Sequence, residues 1–416
     1  MRPFRSLRRG AVWTAFALGG AATIVTARHI LATPQPIESA LPGERSTARR
    51  PEGDIFYNLA GPAGGRPVVL LHDLYAGASN YEFRHLFPRL AISDRVYAPD
   101  WLGFGLSERP ALAYTGEYYA HVLGSFLRET VRAPAVVIAH GLAANLAVRA
   151  ASDNPALFDR LVLIAPHTDA GAETAPTAAQ TLVRLAERTA LGLVPYAALA
   201  TRTVLRWRMR QARGDRGLHP ISDDALDHAF ANAHQFGGQY AALAVETGEL
   251  DLPMHNAFAL LEPPVMVVGG ALDAKHPPQS LEDLTLLRPG ARLEIMPNAA
   301  GGVAEDQAAA LTAIVTRWLA TPEQRRPPFS LLAPEEERVP AASEVAPTGK
   351  KRAGGRRATP PAAEPAREAE PAVADEMEGD VSLMLDPADD EPAPPAGTSA
   401  HPTTGDPLDP HDHPED

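Results

Sequence analysis

Between residues 54 and 320, short runs of apolar and β-branched side chains alternate with longer stretches whose apolar positions recur at helical spacing. Apolar strands separated by amphipathic helices predict a mostly parallel sheet covered on both faces, an α/β fold. The pattern predicts strands at 55–59, 67–72, 95–100, 135–140, 160–166, 264–269 and 292–296. Helices are expected at 82–90, 117–131, 142–152, 281–287 and 307–319. The interval 168–262 has no clear strand and is too long for a plain loop in a compact domain, so it predicts an inserted helical cap.

Outside 54–320 the pattern changes. Residues 321–416 are rich in Pro, Ala and Glu with one aromatic, Phe329, and carry too little apolar surface to offset the entropy of ordering them. They are expected to be disordered, and 33–53 to be a linker. Residues 1–32 open with Arg2, Arg5, Arg8 and Arg9, followed by an uncharged run over 10–27. A basic start and an apolar run of this length fit a secretory signal or a single membrane anchor. The arginines would keep the N-terminus in the cytoplasm and place the folded domain outside it, tethered or exported.

Composition adds a limit and a location. At 416 residues and 45% hydrophobic, the chain has material for one large core. Residues 360–416 hold 16 acidic side chains and one basic one, Arg367, so the formal net charge of −13 belongs to the tail. The basic island Lys350, Lys351, Arg352, Arg356 and Arg357 runs straight into that acidic stretch, which gives a self-compensating tail and no nucleic-acid surface. The absence of cysteine leaves the compartment open. Within the cap, Arg202, Arg206, Arg210 and Arg213 share one helix face, either a solvated side or a contact for anionic lipid or an acidic ligand.

Four stretches carry candidate chemistry, in this order: Val68-Val69-Leu70-Leu71-His72-Asp73, Asp100-Trp101-Leu102-Gly103-Phe104-Gly105-Leu106-Ser107, Val136-Val137-Ile138-Ala139-His140-Gly141-Leu142-Ala143-Ala144-Asn145, and a final strand from Pro264 to Asp273. Together they resemble the α/β-hydrolase superfamily across roughly 54–320. The first is similar to its strand ending in His-Gly, and the second to its Asp-x-x-Gly-x-Gly-x-Ser turn. The third sits where the nucleophile elbow belongs, a tight turn that holds a serine above the sheet at a helix N-terminus. The fourth looks like the strand that delivers the triad acid.

The resemblance implies a nucleophile at 141 and a histidine at 301, and both are glycine. Of the triad only Asp273 remains at its expected position. The resemblance also implies oxyanion donors from Leu74 and Leu142, beside which the superfamily's glycine is replaced by Asp73. An ionised Asp73 there would repel a developing oxyanion, unless it turns outward into a local turn. His72 and His140 match positions of structural histidines, His276 reads as a loop residue, and His401, His411 and His413 are compositional features of the tail. No cofactor and no metal are expected.

Three readings stay open. The first is a degenerate, non-catalytic member that binds a small apolar ligand under the cap, in space enlarged by the missing serine, or a protein partner. The second is a hydrolase or lyase using side chains such as His72, Asp73, His140 or Asp273 at the strand ends. The third is a membrane-tethered scaffold acting through its acidic tail, with 380–386 as a docking element.

Overall fold

The computed structural model describes residues 27, 36–168, 177–186, 189–213, 220–322 and 325. The expected signal or anchor at 1–32 (apart from residue 27), the basic island and nearly all of the 321–416 tail lie outside the described residues. Among the described residues no helix is long and apolar enough to cross a membrane.

One eight-stranded sheet runs in the order β1-β2-β4-β3-β5-β6-β7-β8. Its strands are β1 (Glu44–Ala48), β2 (Ile55–Ala60), β3 (Pro67–Leu71), β4 (Arg95–Pro99), β5 (Ala135–His140), β6 (Phe158–Ile164), β7 (Val265–Gly270) and β8 (Arg292–Met296). β2 pairs antiparallel with β1 and with β4, and every other pairing is parallel. The helices around it are α1 (Phe87–Leu90), α2 (Gly116–Phe126), α3 (Leu142–Asp153), α4 (Ala178–Ala186), α5 (Leu193–Leu199), α6 (Arg202–Arg213), α7 (Asp223–Ala233), α8 (Gly238–Glu246), α9 (His255–Ala259), α10 (Pro278–Leu286), α11 (Val303–Asp306) and α12 (Ala308–Leu319).

The central strands are apolar at nearly every position because both of their faces are covered. Val137, Ala139, Leu161, Leu163 and Val267 pack with Leu123, Leu146 and Phe258 on one side. Val136, Ile138, Val162, Ile164 and Val268 pack with Phe87, Leu311 and Trp318 on the other. Each fully buried aliphatic or aromatic side chain contributes about 1.5–3 kcal/mol. Helix starts follow local chemistry: Thr115 and Ser222 cap α2 and α7 by accepting from Tyr118 N and Ala225 N. After α2 the chain widens into a π turn at Leu127–Val131 and stops at Arg132, whose φ is 60°.

Two expectations are corrected. The linker 33–53 contains strand β1, a polar, mostly exposed edge strand with no hydrophobic alternation to reveal it. The helix expected at 82–90 is broken into a 3-10 turn at Asn80–Phe83 and the short α1. Pro88 causes the break, because inside an unbroken helix its ring would meet the Arg84 carbonyl.

Between β6 and β7 the described residues form helices α4 to α9 and no strand. Helices α4 to α8 gather around Tyr196, Leu205, Met209, Leu226 and Leu243, against Ala76 from the loop after β3, whereas Phe258 of α9 joins the core on the sheet. On the arginine face of α6, Arg202 pairs with Asp227 and Arg206 with Asp223, both on α7, in solvent-exposed ion pairs. Arg210 is exposed.

Candidate functional site

Gly141 is the N-cap of α3 with φ 57° and ψ −127°, a backbone conformation in which a side-chain-bearing residue is strained. The sharp strand-to-helix turn of a nucleophile elbow is therefore present, and its N–H donates to the Ile164 carbonyl at 2.9 Å. It carries no side chain with which to attack.

Strand register explains what fills the space instead. β3 and β5 pair in parallel with Leu71 opposite Ala139, so two residues further along Asp73 comes level with Gly141. Asp73 is 5% exposed and turns inward, which overturns the outward alternative. Its Oδ1 accepts from Leu74 N at 2.8 Å and from Leu142 N at 2.9 Å, the two expected oxyanion donors. A Cβ built on Gly141 would stand 2.3 Å from Asp73 Cγ. The space left by the missing serine is thus not enlarged, because the Asp73 carboxylate occupies it. Burial pushes this carboxyl's pKa up, but the charges of His140, His167 and Lys275 and the Leu142 N–H outweigh it and hold it below the usual range.

A second set of contacts fixes that placement. Glu82, in the 3-10 turn, accepts from Asp73 N through Oε2 at 2.9 Å, and its Oε1 forms an ion pair with His140 Nδ1. His140 Nε2 donates to the Gly301 carbonyl at 3.0 Å, tying the end of β5 to the loop where the superfamily carries its histidine. Burial works against a charge on His140, yet Glu82, Asp73 and the Gly301 carbonyl outweigh it and raise its pKa to about 9. A cavity of ≈ 30 Å³ lined by Tyr75, Glu82, His140, Met209, Gly302, Ala304 and Glu305 adjoins this network, large enough for a water molecule. His72 has a structural role: its Nδ1 donates to the Asp73 carbonyl at 2.7 Å and its Nε2 accepts from Trp101 N at 3.2 Å. Burial lowers its pKa to about 4 and keeps the ring neutral.

At the end of β7 the acid is intact. Asp273 Oδ1 accepts from Lys275 N at 2.8 Å and His276 N at 3.0 Å, and Oδ2 faces His276 Nδ1 at 3.3 Å. His276 lies in the loop, as expected, but it is 3% exposed and the tight turn brings its ring onto the carboxylate. Burial raises the Asp273 pKa, but the bonds and charge from His276 and the Lys275 N–H outweigh it and depress it. His276 stacks on His167 with ring centroids 4.8 Å apart, and Lys275 Nζ lies 3.1 Å from His167 Nε2. Asn145 of α3 holds the His167 backbone through bonds of 2.8 and 3.1 Å.

His72, Asp73, Leu74, His140, Gly141, Leu142 and Asp273 thus lie at the C-terminal ends of β3, β5 and β7, while Gly301 joins through its carbonyl. Glu82, His167 and Lys275 also belong to the site, although no motif in the sequence marks them. Among the described residues no group of three His, Cys, Asp or Glu side chains could hold a metal ion. Chemically, the oxyanion donors are already saturated by an internal anion, and an acyl oxygen has no free N–H pair to approach there.

Comparison with known proteins agrees with the fold. An uncharacterised protein of Mycobacterium tuberculosis is 26% identical over 279 residues, covering 64% of this chain and 78% of its own length. A haloalkane dehalogenase of Mycobacterium marinum is 33% identical over 112 residues, only 26% of this chain and 37% of its own length. A solved serine hydrolase involved in carbazole degradation superposes with a TM-score of 0.54 at 20% identity, covering 67% of this chain and 99% of its own. A probable hydrolytic enzyme from Pseudomonas aeruginosa gives 0.56 at 19%, covering 69% and 97%. These structural likenesses speak for the fold alone. The family described as alpha/beta hydrolase fold matches residues 66–301, more than half of the chain, and with the elbow and sheet order above the chain belongs to that family.

Proposed function

We propose that this chain is a non-hydrolytic member of its family that acts by binding a small molecule or a protein partner at the strand ends beneath the cap. The observation that carries the reading is the Asp73 carboxylate seated on both Leu74 N and Leu142 N over a side-chain-free Gly141. Loss of a serine nucleophile costs about 10⁶ in turnover, and loss of an oxyanion donor a further factor of about 10²–10³. Both losses act here together, with Gly301 in the place of the base. The purified chain should show no turnover on a broad panel of acyl esters and no covalent labelling by a fluorophosphonate. Robust labelling at any residue of this site would overturn the reading.

A second reading is favoured by one observation, the Asp273–His276 pair, whose histidine retains a buried Nε2 without a hydrogen-bond partner. An acid-oriented imidazole is the arrangement of a general base. In that case an activity found by screening hydrolase and lyase reactions should fall at least about 100-fold in His276→Gln. In both readings residues 1–32 carry the chain to or across a membrane, which protease protection of a tagged chain in spheroplasts would test.

A further inference from the structure

Helix α6 presents two unlike faces. Leu205 and Met209 are buried in the core of the cap, while Thr203, Trp207, Arg210 and Gln211 are exposed. Spacings of three and four put these exposed positions on one stripe, with Trp207, 52% exposed, in its middle. A solvated helix face gains nothing from an indole, whose large apolar body and single N–H suit the boundary between water and lipid. The helix also has five arginines, Arg202, Arg206, Arg208, Arg210 and Arg213, and no acidic residue. Arg202 and Arg206 meet Asp227 and Asp223 in exposed pairs, which water screens and which a phosphate can replace at little cost. The surface continues towards α4. Arg184 of α4 donates to the Thr247 carbonyl at 2.7 Å and Arg208 of α6 pairs with the neighbouring Glu246, so both helices meet the same end of α8. Leu182 and Leu185 of α4 are 67% and 75% exposed and add aliphatic area to this part of the cap.

The course of the chain says what covers this surface. Ile37 to Ala40 run along a crevice that His228 and Asn232 of α7 help to line, and α7 is the helix that pairs with α6. The apolar run over 10–27 therefore connects to the domain beside the cap. Eight residues, 28–35, lie between that run and the described chain, and they can span at most about 28 Å. A membrane entered by residues 10–27 is thus within reach of the cap, and its anionic headgroups complement the charge of α6.

We propose that the outward face of α6 is a membrane-contact surface that rests on an anionic phospholipid bilayer, with Trp207 at headgroup level and Arg206 and Arg210 on lipid phosphates. This goes beyond the binding reading above, and its choice of a bilayer rests on the expectation that residues 1–32 reach a membrane.

Tryptophan quenching in the full chain tests it. Of the four tryptophans, Trp101 and Trp318 are buried and Trp13 lies in the apolar run. Trp13→Phe therefore leaves Trp207 as the exposed reporter. The Trp13→Phe chain is placed in nanodiscs of phosphatidylcholine, with or without phosphatidylglycerol, whose acyl chains are brominated near the glycerol. Discs with phosphatidylglycerol should quench part of the emission, and adding Trp207→Phe should remove that quenching. Arg206→Gln together with Arg210→Gln, both at exposed or half-buried positions, should bring it down to the level of phosphatidylcholine alone. If the chain does not enter the discs, the membrane expectation for residues 1–32 fails, and the same quenching is read against vesicles of the two compositions added from outside. There the two arginine substitutions should raise the lipid concentration for half quenching about tenfold or more. The proposal is overturned if anionic membranes do not quench, which is what a soluble acidic partner predicts, if quenching survives Trp207→Phe, or if it is the same with and without phosphatidylglycerol.

Discussion

Asp73 and Asp273 each rest one carboxylate oxygen on two backbone N–H groups, but the groups come from different places. Asp273 takes its donors from Lys275 and His276 in its own loop, so the bonds shape that loop and little else. Asp73 takes one donor from its neighbour Leu74 and the other from Leu142, 69 residues away at the start of α3. The first carboxylate organises a turn. The second joins two strands and fills the volume beside a glycine that no side chain occupies. The difference teaches that a carboxylate bonded to N–H groups of two separate elements ties those elements together, whereas one bonded within its own loop shapes only that loop.

The largest effect should come from Gly141→Ala. The methyl group would collide with Asp73 Cγ at 2.3 Å in a backbone conformation unfavourable to alanine. Strain and the displaced charge-assisted bonds together predict a loss of about 4 kcal/mol in urea unfolding. Next comes the direct contrast between the two acids. Asp73→Ala should cost about 3 kcal/mol and Asp273→Ala about 1 kcal/mol, because only the first leaves donors from two separate elements unsatisfied. Equal losses would break the distinction drawn above.

A third test uses pH. His140 has a raised pKa in the folded state, so the stability it contributes is fully present below its unfolded value and is lost as pH rises through about 9. Unfolding free energy should therefore decline between about pH 6.5 and 9, and His140→Gln should flatten that decline. The smallest effects belong to the cap surface. Arg202→Ala and Arg206→Ala break exposed pairs with Asp227 and Asp223 and should each cost under about 1 kcal/mol.

Much of the sheet was legible in the sequence because β3, β5, β6 and β7 are covered on both faces and so read as unbroken apolar runs. β1 was not legible, because an exposed edge strand of Glu, Arg, Ser, Thr and Ala carries no such mark. In the site, Gly141 and Gly301 could be read directly, since an absent side chain is a property of one position in a motif. The seating of Asp73 could not, because it depends on the register that sets Leu71 against Ala139 and on the direction the side chain takes. Glu82 lay hidden within an expected helix, and it matters only because the 3-10 turn aims it at Asp73 N and His140. His276 was close to Asp273 in number, but only the turn made by the Lys275 and His276 N–H groups brings their side chains together.

The close approach of Asp73 to Gly141 also imposes an order on sequence change. Restoring a serine at 141 while Asp73 is present would force two groups into one volume, so that step is closed until position 73 has been vacated. Removing Asp73 first is open sterically, yet it leaves two N–H groups without an acceptor and returns no nucleophile. The carboxylate at 73 and the bare backbone at 141 therefore hold each other in place.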